Sequence, residues 1–104
     1  MTKPPHEVHI NIAFRNIDPT DALKRYAEDK LKSGIQKFVH HNTEAHIVLS
    51  VEKNRQVAEV SFHSDGADFV AKGESADMYS SIDALVHSLS GQLRKHKEKL
   101  TEHH

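Results

Sequence analysis

Ten histidines in a chain of 104 residues are the first groups whose chemistry needs an assignment. They stand at His6, His9, His40, His41, His46, His63, His87, His96, His103 and His104. No pair is spaced i, i+4 on a helix with a carboxylate partner, and none has a zinc-type spacing, so neither a metal site nor a cofactor is expected. His103 and His104 read equally as native residues or as the remnant of a tag. Serines are plentiful, yet nothing has the form of a nucleophile elbow, a glycine-rich phosphate loop or a paired-carboxylate site, and an enzyme is not expected. Asp77 and Asp83 read as a helix cap and a surface residue. What remains is the chemistry of cations, since lysines neutralise phosphates in a sequence-independent and salt-sensitive way.

Those cations follow helical spacing. With about 100° of rotation per residue, Ser88, Gln92, Lys95 and Lys99 fall on one flank of a terminal helix, beside its apolar face. Tyr26, Lys30, Ser33 and Lys37 make a comparable row on an earlier helix. If both helices lie on one sheet face, the two rows are expected to border a shared polar surface carrying Lys30, Lys37, Lys95 and Lys99. The plainer alternative is a solvated lysine face.

The elements that would position these rows are legible from periodicity. Met78, Ile82, Leu85, Val86, Leu89, Leu93 and Leu100 draw one apolar stripe at helical spacing, with Asp77 where an N-cap acceptor is wanted. The far end of that helix is basic, with Arg94, Lys95, Lys97 and Lys99 at the negative end of the helix dipole. Upstream, Met1 to Pro5 is a short leader, kept out of regular structure by Pro4 and Pro5. Val8, Ile10, Ile12 and Phe14 alternate with polar residues and predict a strand with one buried face. Around Pro19 a helix starts, with Asp18, Thr20 or Asp21 as its cap and Leu23, Ala27, Leu31 and Phe38 on its apolar side. Gly34 costs a helix interior about 1 kcal/mol relative to Ala, so this helix ends near Lys32 or runs on, weakened, to Phe38. After a loop at 39–42, Ala45 to Val51 alternate, then Ala58, Val60 and Phe62. The pair Asp65-Gly66 signals a tight turn. Phe69, Ala71 and Gly73, or the neighbouring Val70, form a fourth, weaker strand. The order β-α-β-β-β-α predicts an α+β fold: a four-stranded sheet with both helices on one face and water on the other.

Length and composition bound the rest. A chain of 104 residues is one small domain, with its core expected over about residues 6 to 100. Fourteen basic and fifteen acidic residues leave a net charge of −1, so any affinity for nucleic acid must come from how the charge is distributed. The chain has no cysteine, which excludes disulfides and suits a reducing compartment. No window approaches the roughly 20 apolar residues of a membrane span, and a cytoplasmic location is expected.

Asp77-Met78-Tyr79, then Ile82-Asp83 and Leu85, then Gln92-Leu93 and Lys95-His96-Lys97-Glu98-Lys99-Leu100 resemble the ribosome hibernation promoting factors. That family is also called ribosome-associated inhibitors or sigma-54 modulation proteins. Ile17-Asp18-Pro19-Thr20-Asp21-Ala22-Leu23-Lys24 is similar to the start of the family's first helix, and Leu49-Ser50-Val51-Glu52-Lys53 to its second strand, so the likeness covers about residues 8 to 100. The resemblance implies a fold like that of double-stranded-RNA-binding domains. It also implies a cytoplasmic, bacterial or plastid factor that binds the small ribosomal subunit in the channel used by messenger and transfer RNA. There it inhibits translation under starvation or in stationary phase, with ribosomal RNA as partner and neither membrane nor DNA. Carried over by position, Lys24 and Lys30 on the first helix and Lys95, Lys97 and Lys99 on the second are RNA-facing, with Gln92 and His96 also family-like. Lys37 and Arg94 join them as neighbouring cations, and Tyr79 either contacts RNA or packs on the sheet edge.

The departures are specific. Ser33, Ser88 and Gly91 stand where family members commonly carry Lys or Arg. Each missing phosphate contact weakens binding and lowers the salt slope by about one unit. Lys32 and Arg94 are close by but sit at other helical angles. Weaker ribosome affinity than that of more basic relatives is therefore expected. His40, His41, His87 and His96, where exposed, would add charge on acidification. A protein-interaction regulator of the sigma-54 modulation type, without tight ribosome binding, is the competing reading. A long-form factor with a second domain is disfavoured by the short tail after Leu100.

Overall fold

In the computed structural model, residues 7–39, 41–64 and 66–102 are described, with side chains up to residue 98. The expectations placed on Met1 to Pro5, His40, Asp65, His103, His104 and the side chains of Lys99 and Leu100 lie outside the described residues. The element order is β1 (Val8–Arg15), α1 (Asp21–Gln36), β2 (Thr43–Glu52), β3 (Arg55–Ser64), β4 (Ala67–Ser75) and α2 (Met78–Glu102). The strands form one sheet in the order β1-β2-β3-β4. β1 and β2 are parallel, in register from Val8 against Thr43 to Arg15 against Ser50, with α1 as the crossover between them. β2, β3 and β4 are antiparallel neighbours joined by tight turns. Lys53 takes φ 57° in the first turn, and Gly66 takes φ 75° in the second, where a residue without Cβ carries no steric penalty.

Strand alternation sorts the residues by face. Ala45, Ile47, Leu49, Ala58, Val60, Phe62, Phe69 and Ala71 are buried beneath the helices, whereas His46, Glu59, Ser61, His63 and Lys72 look outward and are exposed. Phe69, Ala71 and Gly73 are the inward set of β4, and Val70 points to water at 57% exposure. Val57 is the exception on the open face, buried in register between Ser50 and Glu74. Beside it, Glu74 pairs with Arg55 at 2.7 Å and with Lys72 at 3.0 Å. These two cations hold the Glu74 carboxyl below its ordinary pKa, the bond from Lys72 contributing most.

Both helices are capped from their own sequence. Thr20 is the N-cap of α1, its Oγ1 accepting from Leu23 N at 3.1 Å. Asp77 Oδ2 accepts from Ser80 N at 3.0 Å at the start of α2. α1 runs through Gly34 to Gln36, because Leu31, Gly34 and Ile35 are all buried there and tertiary packing outweighs the propensity cost. Of the apolar stripe on α2, Met78, Ile82, Leu85, Leu89 and Leu93 enter the core and Val86 is half-buried at its edge. Ser81 is fully buried among them. Its hydroxyl donates to Gln56 O at 2.7 Å and meets Ser75 Oγ at 2.9 Å, which ties the first turn of α2 to the sheet. Gly73 lies directly under this turn, where a Cβ would collide with the backbone of Ser81 and Leu85.

Candidate nucleic-acid interface

The two helices run parallel, and the contacts between them show it. The Tyr26 ring meets Tyr79 edge to face at 5.0 Å, and its hydroxyl donates to Asp83 Oδ1 at 2.6 Å. Two turns further along α1, Gly34 lies against Val86, whose Cγ1 would be 3.1 Å from a Cβ there, with Ser90 Oγ at 3.9 Å. The glycine that weakens α1 therefore lets α2 approach. One seam results, made by Tyr26, Lys30, Gly34 and Lys37 from α1 and by Tyr79, Asp83, Val86 and Ser90 from α2.

Cations gather along this seam. Lys30 and Lys37 are exposed, with Lys30 Nζ 5.5 Å from the Tyr26 ring centroid and Lys37 Nζ 5.7 Å from that of Phe38. Lys97 follows Tyr79 by five full helical turns, so it returns to the seam side of α2, and Arg94 stands next to that line. Both are exposed. The seam is thus aromatic near the helix starts, where Asp83 and the capping Asp77 are close to Tyr26, and basic toward the helix ends. The bond to Asp83, together with partial desolvation and the nearby acid charge, raises the pKa of the Tyr26 phenol.

Of the shared surface expected of Lys30, Lys37, Lys95 and Lys99, Lys95 does not join the two lysines of α1, and the side chain of Lys99 lies outside the described residues. Gln92 Nε2 donates to Val70 O at 3.0 Å, on the outer edge of β4, so the row of Ser88, Gln92 and Lys95 lies on the flank of α2 away from α1. The reason is rotational. Once Met78, Ile82, Leu85 and Leu89 face the sheet, right-handed winding sends Tyr79, Asp83, Val86 and Ser90 toward α1 and the other row toward the edge. Lys95 is exposed on that outer flank. Lys24 is also distant from the seam, exposed on α1 beside Asp21, Arg25 and Glu28.

Three further residues make contacts that local sequence does not signal. Tyr79, 39% exposed, packs on Tyr26 of α1 and not on the sheet edge. Asp83 is the surface residue its sequence reading gives, and it also receives a hydrogen bond from a tyrosine 57 positions away, a non-local pairing without a local signal. His96 is half-buried, edge to face with Phe69 at 5.2 Å, and its buried Nε2 has no hydrogen-bond partner among the described residues. It belongs to the core rim, while His41 and His87 are exposed. Among the described residues there is no group of three or more His, Cys, Asp or Glu arranged to hold a metal ion, and no helix long and apolar enough to cross a membrane.

A mixed sheet covered on one face by two parallel helices, with exposed cations beside their seam, defines a small α+β module. Residues 10–101 match the family described as Sigma 54 modulation protein / S30EA ribosomal protein, and the chain belongs to that family. It is 40% identical over 95 residues to the ribosome hibernation promoting factor of Azotobacter vinelandii, covering 91% of this chain and 88% of that one. Identity to the factor of the same name from Klebsiella oxytoca is 36%, covering 92% of this chain and all of that one. Among solved structures, the N-terminal domain of Thermus thermophilus Protein Y superposes with a TM-score of 0.75 at 29% identity, covering 86% of this chain and 98% of that chain. A ribosomal subunit interface protein from Coxiella burnetii gives the same TM-score at 28% identity, with the same coverage.

Proposed function

We propose that this protein is a translation inhibitor that occupies the messenger and transfer RNA channel of the small ribosomal subunit and holds ribosomes inactive under stress or in stationary phase. The whole chain acts as one ribosome-binding domain in the cytoplasm. Its RNA surface is the helix seam, where Lys30, Lys37, Arg94 and Lys97 meet phosphates and Tyr79 is available to a base. Lys24, Lys95 and Lys99 are carried on outer flanks or beyond the described side chains and meet only RNA that wraps around the helices. Gln92 contributes by holding α2 to the edge strand.

The observation that carries this reading is the pairing of two facts. Relatives that the chain matches over most of their length are named for ribosome hibernation, and the helices bring exposed cations from both sides to one seam. A near-neutral protein binds a polyanion only through such local concentration. A pull-down from stationary-phase lysate tests it: recovery of ribosomal RNA and small-subunit proteins supports the reading. Recovery of a transcription or signalling protein in their place supports the sigma-54-type alternative.

A further inference from the structure

The seam has one feature that phosphate binding does not use. Tyr79 presents an exposed ring on α2, and Asp83 lies one turn further along on the same flank. Asp83 serves the fold through its bond to Tyr26, and because a carboxylate repels the RNA backbone, any ligand group it meets is a hydrogen-bond donor and not a phosphate. Asp83 Oδ1 accepts the Tyr26 hydroxyl at 2.6 Å, and Oδ2 receives no hydrogen bond among the described residues. The Tyr26 bond and the Tyr26–Tyr79 edge-to-face contact hold the carboxylate and the ring in fixed relation.

We infer that Tyr79 and Asp83 form a subsite for an unpaired guanine base, stacked on the Tyr79 ring and read at its Watson–Crick edge by the Asp83 carboxylate. This rests on the RNA-binding reading of the seam and names what that seam selects. Residues four apart on a helix have Cβ atoms about 5–6 Å apart, a spacing that places an acceptor at the rim of a base lying on the ring. Unstacked bases of single-stranded RNA are recognised in this way, by stacking on aromatic side chains and by hydrogen bonds to their free edges. The choice of base follows from the chemistry of the acceptor. An ionised carboxylate only accepts. Guanine alone offers two adjacent donors on that edge, N1–H and the 2-amino group. Adenine and cytosine place a ring nitrogen lone pair next to their amino group, and uracil flanks its single N3–H with carbonyl oxygens, so each sets an acceptor against the carboxylate. Lys30, near the Tyr26 ring, is positioned for the phosphate attached to such a base.

The test is a titration of the full chain with the pentaribonucleotides UUGUU, UUAUU and UUIUU, followed by backbone amide chemical shifts. Wild type binds UUGUU roughly tenfold more tightly than UUAUU, a ratio within the range of a good bidentate contact, and inosine, which lacks the 2-amino group, falls between them. Asp83→Asn, which keeps an acceptor for Tyr26, removes the guanine preference while raising affinity for the adenine control. Tyr79→Ala weakens binding of UUGUU about tenfold, and Tyr79→Phe restores it. Equal affinity for the three oligonucleotides, with small-subunit binding intact, overturns the guanine subsite and leaves the ribosome reading standing. A preference that survives Asp83→Asn overturns it as well. Failure to bind both oligonucleotides and ribosomal subunits overturns the two together.

Discussion

Replacing Gly73 by Ala places a methyl group where the terminal helix rests on the sheet. A Cβ at this position falls 2.6 Å from Leu85 N and 3.1 Å from Leu85 Cα, and it also overlaps the Ser81 carbonyl oxygen. All three atoms are backbone, so no rotamer change relieves the clash. Either α2 rises or β4 bends, at the point where Ser81 bonds to Gln56 O and Ser75 Oγ. Overpacking costs about 1–3 kcal/mol even where side chains can yield, and a gap of about 0.5–1 Å forfeits a quarter to a half of the dispersion well of each separated pair. A loss of about 3 kcal/mol is therefore expected, which for a domain of this size lowers Tm by roughly 12 °C or more. Urea unfolding followed by far-UV circular dichroism measures it, with the transition slope checked against wild type. Because Gly73 sets the seat of α2 and hence the position of Tyr79 and Asp83 against Tyr26, the variant should also bind ribosomal subunits more weakly. A stability within about 0.5 kcal/mol of wild type would refute the close approach of α2 to β4, since that is the scatter of inconsequential surface changes.

Gly91→Ala is the opposite case. A Cβ there meets nothing within 4 Å, so the change should stabilise by about 1 kcal/mol in the same assay. Ser81→Ala should destabilise by about 1–3 kcal/mol, because Gln56 O loses its donor beneath the helix. The Tyr26 phenol is raised above its ordinary 10.0 chiefly by the bond to Asp83. Its contribution is therefore complete below pH 10 and lost as pH rises through the higher folded-state value. In a Tyr79→Phe background, where Tyr26 is the sole tyrosine, an ultraviolet titration should show that high value fall when Asp83→Asn is added. Glu74 has the reverse sign: held down by Lys72 and Arg55, it contributes stability above pH 4.5 that is lost as pH falls through its lower folded value, and Lys72→Met should flatten that acid limb of the stability profile.

Much of the fold was legible because each element repeats its own period. Val8 to Phe14 and Ala45 to Val51 alternate, and Met78 to Leu93 recur at helical spacing, so the element order and the inward faces follow from local pattern. The length of α1 was ambiguous from propensity alone. Gly34 reads as a break until Val86 is seen against it, and that contact spans 52 positions of sequence. The candidate site shows the same division. Lys30 and Lys37 fall on the seam as their spacing from Tyr26 suggests, because a single helix fixes that row. Whether the Gln92 row or the Tyr79 row of α2 faces α1 depends on how the helix is rotated on the sheet, and local periodicity does not set that rotation, so Lys95 lies on the flank opposite the seam. The hydrogen bonds of Asp83 and Gln92 have no local signal for a related reason, since their partners, Tyr26 and Val70 O, lie on other elements.

Co-sedimentation with purified small ribosomal subunits tests the central claim most directly, comparing wild type with Lys30→Glu/Lys37→Glu/Lys97→Glu and with the outer-flank pair Lys24→Glu/Lys95→Glu. The account predicts that wild type pellets with the subunit, that the seam triple does not, and that the outer pair retains most of the binding. Seam contacts should also set the salt slope, which falls by about one unit for each phosphate contact removed. A seam triple that binds as wild type does, or a wild type that stays in the supernatant, would contradict it.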